Sequence, residues 1–431
     1  MAREYKDSGI EWIGQIPKEW KVSRIKTIFS ERTELSENGD ETLLSVSEYY
    51  GVANRKEKIE DGDFVSRAES LVGYKKCYKE DLVSNIMLAW KGSLGVTDID
   101  GIVSPAYCVY QPSKEVFPHY YHYLFRTSLF TSIFRLYSKG IIDSRLRLYS
   151  PFFFAISTLI PPFSEQQKIA DYLDKVCGEV DKMVALQETM IEELKAYKQS
   201  VITEAVTKGL NPNVPMRNSG IDWIGEIPEH WEVIKLSFLT SKIGSGSTPT
   251  GGANVYVHEG VKFLRSQNVY FEGLNLNDVA FITETIDEEM KGTRVKPGDV
   301  LLNITGGSIG RCYYVDESLG RANVNQHVSI IRPTKIETIY LKYSLQSDLG
   351  QNQIALLQTG GNREGLSAAA LSNFKILFPP MSEQRTIASY LDTKCSEIDS
   401  LIALKQAKIE ELKEYKKSVI YEYVTGKKEV V

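Results

Sequence analysis

The sequence is poor in cysteine, and the cysteines it has are not arranged for chemistry. Five are scattered through 431 residues (Cys77, Cys108, Cys177, Cys312, Cys395), with no C-x-x-C pair and no histidine at ligand spacing. This excludes a disulfide scaffold and a structural zinc site, and it points to reduced thiols in a cytoplasmic protein. Long apolar runs are missing as well. The stretch around Pro151–Phe163 is too short and too interrupted to cross a bilayer, and the polar opening Met1-Ala-Arg-Glu4 has no apolar signal core behind it. No membrane contact is expected. Nucleotide-binding loops are absent too: Gly426-Lys427-Lys428 lacks the upstream half of a P-loop, and Pro249 stands where a dinucleotide fingerprint begun at Gly244 needs its third glycine. An adenine methyltransferase needs an Asn/Asp-Pro-Pro-aromatic loop, and neither Asn211-Pro212-Asn213 nor the two Pro-Pro pairs supplies one. The carboxylates form no evident nuclease cluster, and the five histidines give no triad order. No catalytic residue, metal site or bound cofactor is therefore assigned to this chain.

A basic surplus is lacking too. The formal charge is −5, against the basic domain that most phosphate-binding proteins carry. Acid and base are nearly balanced within 24–160 and within 234–378, so the excess acid lies in the segments between. Charge neither supports nor excludes a nucleic-acid partner; affinity would have to come from local patches or from a second protein.

What the chain does have is itself, twice. Ser8-Gly-Ile-Glu-Trp-Ile-Gly-Gln-Ile-Pro-Lys-Glu-Trp-Lys-Val22 returns as Ser219-Gly-Ile-Asp-Trp-Ile-Gly-Glu-Ile-Pro-Glu-His-Trp-Glu-Val233, matching at about 10 of 15 positions. The segment from Pro161 returns from Pro379, with about 28 of 47 residues identical. Between these repeats lie 24–160 and 234–378, which resemble each other faintly. Asp81–Ile86 aligns with Asp299–Ile304, and Lys91–Gly95 with Gly306–Gly310 after a three-residue slip. Both are rich in short β-branched and aromatic runs broken by Gly, Pro, Asn and Asp, the pattern of strands and tight turns with some helix.

The second repeat reads as a helix. Pro161-Pro162 precedes it, and Ser164 with Gln167 makes a capping box; Ser382 keeps the cap in the second copy, where Arg385 replaces the Gln. Apolar residues then recur at steps of three and four: Leu173, Val176, Val180, Met183, Met190, Leu194, Tyr197 and Val201, interrupted by Gln187. The second copy gives Leu391, Ile398, Leu401, Leu412, Tyr415 and Val419, interrupted by Lys394, Lys405 and Lys408. This is a coiled-coil seam, and about 43 such residues make a rod of roughly 65 Å. Two matched seams are expected to bury each other in antiparallel fashion, which brings the two chain termini together; the alternative is two helices each packed on its own domain. Trp12, Trp20, Trp223 and Trp231 are expected as buried anchors of the shorter motif.

The paired S-G-I-[ED]-W-I-G-x-I-P-x-x-W motif, the P-P-x-S-E-Q helix start and the helix ends Ile191–Ile202 and Ile409–Ile420 resemble the similar regions of Type I restriction-modification specificity subunits. The resemblance covers essentially the whole chain. It implies an α+β fold with two mixed α/β target-recognition domains separated by two long antiparallel coiled-coil helices, with pseudo-twofold symmetry. The expected divisions are 1–160 for the first motif and recognition domain and 161–210 for the first spacer helix. The linker, repeated motif and second recognition domain take 211–378, and the second spacer helix with its tail takes 379–431. The resemblance also implies that each domain reads half of a split, asymmetric site in double-stranded DNA, and that the helices set the gap. Two methyltransferase subunits would dock on the similar regions and two motor-nuclease subunits would join them. S-adenosylmethionine, ATP and Mg would be carried by those partners. Lengthening the chain around Thr207–Asn218 is expected to change the gap. Two rival readings are a solitary methyltransferase or nuclease, which would bind S-adenosylmethionine or cut DNA unaided, and a coiled-coil protein adaptor, which would show no DNA preference.

Base edges are read by Arg, Lys, Asn, Gln, Ser and Thr on loops or strands. In the first domain the candidates are Ser47–Tyr50 (with Tyr49 and Tyr50), Asn54-Arg55, Lys91 and Ser93 beside Trp90, Ser104 to Tyr107, and Lys139, Arg145 and Arg147. Tyr74, Lys75 and Lys76 look like phosphate contacts. In the second domain they are Ser247 and Thr248 within Gly244–Thr250; Arg265, Gln267 and Asn268; Thr305 and Ser308; Asn325, Gln326 and His327; and Asn362 with Arg363. Phosphate and sugar take the larger share of protein–DNA hydrogen bonds, so each Arg or Lys is first a phosphate contact. Asn85 and Asn303 sit in apolar runs and read as buried strand-end residues; His327 reads equally as a core or a groove histidine, and the glycine-rich loops equally as plain turns.

Overall fold

The computed structural model describes residues 3–57, 70–221, 223–357 and 365–430, and the chain divides into two compact units. The first comprises residues 1–188 and 407–431, and the second residues 189–406. Two helices dominate: Phe163–Lys208, 46 residues, and Met381–Val424, 44 residues. Each contributes to both units, so each unit contains a length of both. Neither helix is apolar enough to cross a membrane, nor is any other among the described residues.

Within the first unit the helices run antiparallel. The Tyr172 and Tyr423 rings lie 4.6 Å apart, and Lys416 Nζ donates to Asp181 at 2.6 Å. The second unit repeats the arrangement, with Lys198 Nζ donating to Asp399 at 2.7 Å. Lys198 and Lys416, and Asp181 and Asp399, are the same two positions of the duplicated helix. The buried stripe is Leu173, Cys177, Val180, Ile191 and Ile202 in one helix and Leu391, Cys395, Ile398, Ile409, Leu412 and Val419 in the other. It differs from the expected seam on alternate steps: Met183, Tyr197, Leu401 and Tyr415 are about half exposed. The shared steps stand, but the other edge of the stripe lies one residue on, at Cys177 and Lys198 rather than Val176 and Tyr197. A lysine there lays its aliphatic stem along the seam and turns its ammonium to the opposite carboxylate.

Each helix start is fixed by a glutamine that is not part of the expected capping box. The first helix begins at Phe163, so Ser164 lies inside the first turn rather than at the cap. Buried Gln166 donates to Pro161 O at 2.8 Å and accepts from Phe117 N at 2.9 Å; Gln384 makes the same bonds to Pro379 O and Glu337 N. Trp20 and Trp231 are fully buried and donate to Glu165 and Glu383 in the first turns. Trp12 packs edge-on against Phe130, whereas Trp223 is 44% exposed and anchors nothing in the core. At the helix ends Tyr120 OH donates to Val424 O, and Tyr340 OH to Val206 O. The expected meeting of the termini is seen inside the first unit, where Tyr5 OH donates to Gly426 O at 3.2 Å.

Both units carry an antiparallel four-stranded sheet of one topology. Its order is Phe29–Arg32, Tyr107–Pro112, Leu82–Asn85, Leu94–Val96 in the first, and Thr240–Ser245, Val328–Pro333, Val300–Asn303, Cys312–Tyr314 in the second. Leu82 pairs with Val96 and Val300 with Tyr314, so the two copies stay in step through this hairpin. Gly92 and Gly310, both at φ +90°, turn it. The expected slip, with Gly95 matched to Gly310, is therefore wrong. The extra three residues fall later, because Asn85 pairs with Tyr107 but Asn303 with Val328.

A buried carboxylate sits under each sheet, held by arginines from different strands. Arg32 clamps Asp81 from Phe29–Arg32 at 2.8 and 3.2 Å, whereas Arg332 clamps Asp299 from Val328–Pro333 at 2.7 and 2.8 Å. Removing either carboxylate leaves a part-exposed guanidinium and a backbone N–H, of Tyr78 or Lys296, without that partner, so Asp81→Ala and Asp299→Ala are each expected to cost about 2–4 kcal/mol in denaturant unfolding. The joint change Asp299→Leu with Arg332→Met should recover much of the loss.

Two strand pairs also recur, Tyr5–Asp7/Gln15–Pro17 as Met216–Asn218/Glu226–Pro228 and Lys21–Arg24/Ser157–Ile160 as Glu232–Lys235/Lys375–Phe378, and the rest differ. The first unit adds the hairpin Leu44–Ser47/Gly51–Asn54 and the pair Lys75–Cys77/Gly101–Val103. The second adds a three-stranded sheet in which Val261–Leu264 lies between Ala280–Ile282 and the parallel strand Ala322–Val324.

Candidate nucleic-acid interface

In the first unit the candidates gather along one connected edge. The Leu44–Asn54 hairpin turns at Tyr49, which is 84% exposed, and Tyr50, whose hydroxyl lies 3.0 Å from Ser45 Oγ. Tyr50, Arg55 and Tyr74 surround the Tyr107 phenol closely enough to act on its charge, and burial raises its pKa. Ser104 shapes the turn before Tyr107 through its carbonyl and hydroxyl. Lys75 and Lys76 are not free cations. Lys75 donates to Tyr107 O at 2.7 Å, and Lys76 stands between Glu34 and Glu41 at 3.5 and 3.6 Å.

Lys91 is exposed and lies over the Trp90 ring, 5.3 Å from its centre, and Arg135 lies 4.9 Å from the same ring. Ser93, beside them, is buried and donates to Val46 O at 3.1 Å; it ties the turn to the hairpin and presents nothing to solvent. Lys139 and Arg147 bridge backbone to backbone at the base of a second hairpin, with Lys139 4.7 Å from the Phe152 ring and Arg145 exposed.

One residue that gave no sequence signal organises this edge. Arg126, just past the helix Pro118–Phe125, donates from Nη1 to Ser47, Gly92 and Leu94 carbonyls and from Nη2 to those of Glu48 and Tyr49, at 2.9–3.3 Å. Its planar fork joins the Tyr49 turn to the Lys91 turn, and burial lowers its pKa. Beneath it, His122 Nδ1 accepts from Val96 N at 3.3 Å, which makes the ring a neutral acceptor. Burial first, then the Arg126 and His119 charges, holds its pKa down to about 3. The unfolded chain takes up a proton near pH 6.5 that the folded one refuses. The stability this histidine contributes is complete above pH 6.5 and drains away as pH falls toward 3. Acid titration of unfolding should show it, by up to about 1.4 kcal/mol per pH unit, with a shallower fall for His122→Gln.

In the second unit two clusters form side by side. Thr248 donates to Gln326, Gln326 Nε2 lies 3.0 Å from His327 Nε2, and His327 Nδ1 lies 2.6 Å from Thr305 Oγ1. Three loops, at Ser247–Thr248, Asn325–His327 and Thr305–Ser308, are thus joined in one polar chain, with His327 half-buried. Asn325 supports it by accepting from His327 N. Next to it, Arg265 and Gln267 both donate to Asp278. Asn268 is buried and braces that turn through Arg265 N and Asn275 O. Asn303 donates to Ser266 O at 2.7 Å from a buried strand end, and Asn85 accepts from Met87 N from the matching place, as expected of both. Asn362 and Arg363 lie outside the described residues; Gly365 just beyond them bridges Thr305.

The arrangement offers donors, acceptors and a few cations on loops above rigid sheets, which suits recognition. Comparison with known proteins agrees. The family model described as "Type I restriction modification DNA specificity domain" matches residues 17–196 and again 228–414. The specificity subunit of the type I restriction enzyme MjaVIII from Methanocaldococcus jannaschii is 27% identical, over 96% of this chain and 94% of its own. That of EcoKI from Escherichia coli K12 is 23% identical, over 90% and 86%. Among solved structures, a chain from a study of complex assembly and conformational transition in the type I R-M system superposes with a TM-score of 0.70 at 16% identity, over 95% of this chain and 98% of that one. The HsdS subunit from Thermoanaerobacter tengcongensis gives 0.53 at 17%, over 95% and 98%. A family model matched twice across most of the sequence, on a duplicated frame with unlike polar edges, settles the assignment: this chain belongs to the DNA specificity subunits of Type I restriction-modification systems.

Proposed function

We propose that each unit reads one half of a bipartite, asymmetric DNA site, and that the chain lends this recognition to methyltransferase subunits without reacting itself. One observation carries the proposal. The same bonds recur in both units (Gln166 and Gln384, Trp20 and Trp231, Lys416–Asp181 and Lys198–Asp399), while the polar edges are built differently, by the Arg126 fork in the first and by the Thr248–Gln326–His327–Thr305 chain in the second. Two like frames suit two copies of one partner; two unlike edges suit two different half-sites.

The exposed apolar residues of the helices support a pair of docking sites. Met183, Leu186 and Tyr415 in the first unit match Leu401, Leu404 and Tyr197 in the second, all between 46% and 66% exposed. Two methyltransferase subunits occupy these in the proposed complex, and two motor-nuclease subunits join the restricting form. S-adenosylmethionine, ATP and Mg belong to those partners, which places the chain in the cytoplasm with the DNA. Mapping methylated adenines in the host genome tests the proposal: one split motif with a fixed gap, lost when the gene is deleted, is the expected result. A continuous motif, or methylation unchanged by the deletion, would refute it.

A further inference from the structure

We infer that the Lys139–Arg147 hairpin of the first unit is an apolar finger that enters the major groove of one half-site and rests Ile141 and Ile142 against thymine methyl groups. The inference rests on the DNA-reading role proposed above. Ile141 is 99% exposed, Ile142 53% and nearby Leu136 74%. Single exposed apolar residues are ordinary on a protein surface, but three within seven positions on a stiff support are not.

The support is built in. Lys139 N donates to Arg147 O and Arg147 N to Lys139 O, both at 2.9 Å, and Arg145 N closes the tip onto Ile142 O at 2.8 Å. Leu146 and Leu148 behind it are buried, and Leu148 N donates to Ile86 O at 2.9 Å. At Gly140, φ +152°, a Cβ would lie 2.5 Å from Arg145 O, so the tip closes only around a glycine. The closed backbone thus holds the isoleucines outward.

Charge selects the occupant. Arg145 is exposed near the tip, Lys139 and Arg147 stand at its base with Arg147 Nη1 donating to the Ser144 and Leu146 carbonyls, and its one acid, Asp143, is taken by Arg135 at 2.8 Å, the same arginine that lies over Trp90. An apolar tip between cations matches a groove whose walls are phosphates and whose floor carries thymine methyls.

The test uses the full chain assembled with its methyltransferase subunits and duplexes bearing the mapped motif. Ile141→Ser with Ile142→Ser should weaken specific binding by about tenfold and leave non-specific binding unchanged, since the cations remain. Tolerance of base changes should rise in one half-site only. With the unaltered protein, replacing thymines of that half-site singly by deoxyuridine should weaken binding about fourfold at one position or more, the value of one methyl group, and the variant should ignore that replacement. Undiminished discrimination in both halves by the double variant would overturn the inference, as would indifference of the unaltered protein to every deoxyuridine. Failed assembly with methyltransferase subunits, with normal DNA selectivity in whatever assembles, would assign the finger to a protein contact and overturn it too. Absence of any sequence preference in the unaltered complex would instead remove the DNA-reading role itself.

Discussion

Arg126→Ala is expected to blunt recognition of one half-site by tenfold or more and to lower the stability of the first unit by about 3 kcal/mol, leaving recognition of the other half-site intact. Five carbonyls converge on this one guanidinium. Alanine leaves those acceptors facing a void, each at a cost of about 1–3 kcal/mol where water cannot reach, and some will relax into solvent. Lysine keeps the charge but offers one compact ammonium in place of a flat fork, so it cannot hold Ser47 and Tyr49 on one side and Gly92 and Leu94 on the other. Arg126→Lys should therefore recover part of the stability and little of the selectivity. Thermal unfolding, with competition binding against motifs altered in one half at a time, checks both. Equal loss in both halves would show that Arg126 acts through global folding rather than through the Tyr49 and Lys91 turns.

Inserting one heptad at matched points of both helices, after Gln187 and after Lys405, is expected to change the gap of the recognised motif and neither of its halves. Seven residues keep the 3.5-residue stripe in phase and add about 10 Å of helix, which corresponds to roughly three base pairs. At the original gap the complex can engage only one half-site. With about 1–3 kcal/mol lost for each base pair no longer matched, affinity for the old motif should fall by at least about a hundredfold. Methylation mapping in cells carrying the lengthened gene reads the outcome directly. An altered half-motif would mean that the helices shape the reading edges, and an unchanged gap would mean that they do not set it.

The duplication and the two long helices were legible because they rest on repetition and periodicity, which survive without any knowledge of packing. The helix stripe was half legible. Leu173, Val180, Leu391 and Ile398 announce themselves as apolar, but Cys177, Cys395 and the stem of Lys198 are seam residues that a hydrophobic pattern passes over, and it took Met183, Tyr197, Leu401 and Tyr415 in their place. The edges were legible as polar clusters rather than as roles. Ser93 and Asn268 have the chemistry of readers but bond inward, and Lys75 and Lys76 have the charge of phosphate contacts but are engaged within the fold. Which way a short polar side chain turns is decided by the tertiary neighbour that needs a partner, and Arg126 shows the converse: an ordinary arginine made central by five carbonyls remote in sequence. The glutamine of the repeated P-P-x-S-E-Q start carries no capping signal, because capping rules look for local partners and Gln166 reaches Phe117.

The migrated arginine under the two sheets bears on how such a gene can trade its specificity. Asp81 and Asp299 occupy one position, but their guanidinium partners arrive on opposite sides of it in chain order. A recombinant spliced between those strands would carry both Arg32 and Arg332 about one carboxylate, and its reciprocal would seal the other carboxylate in with no arginine at all. Viable hybrids must therefore inherit the sheet as an undivided block, with crossovers confined to the stretches where the two halves of the gene read alike.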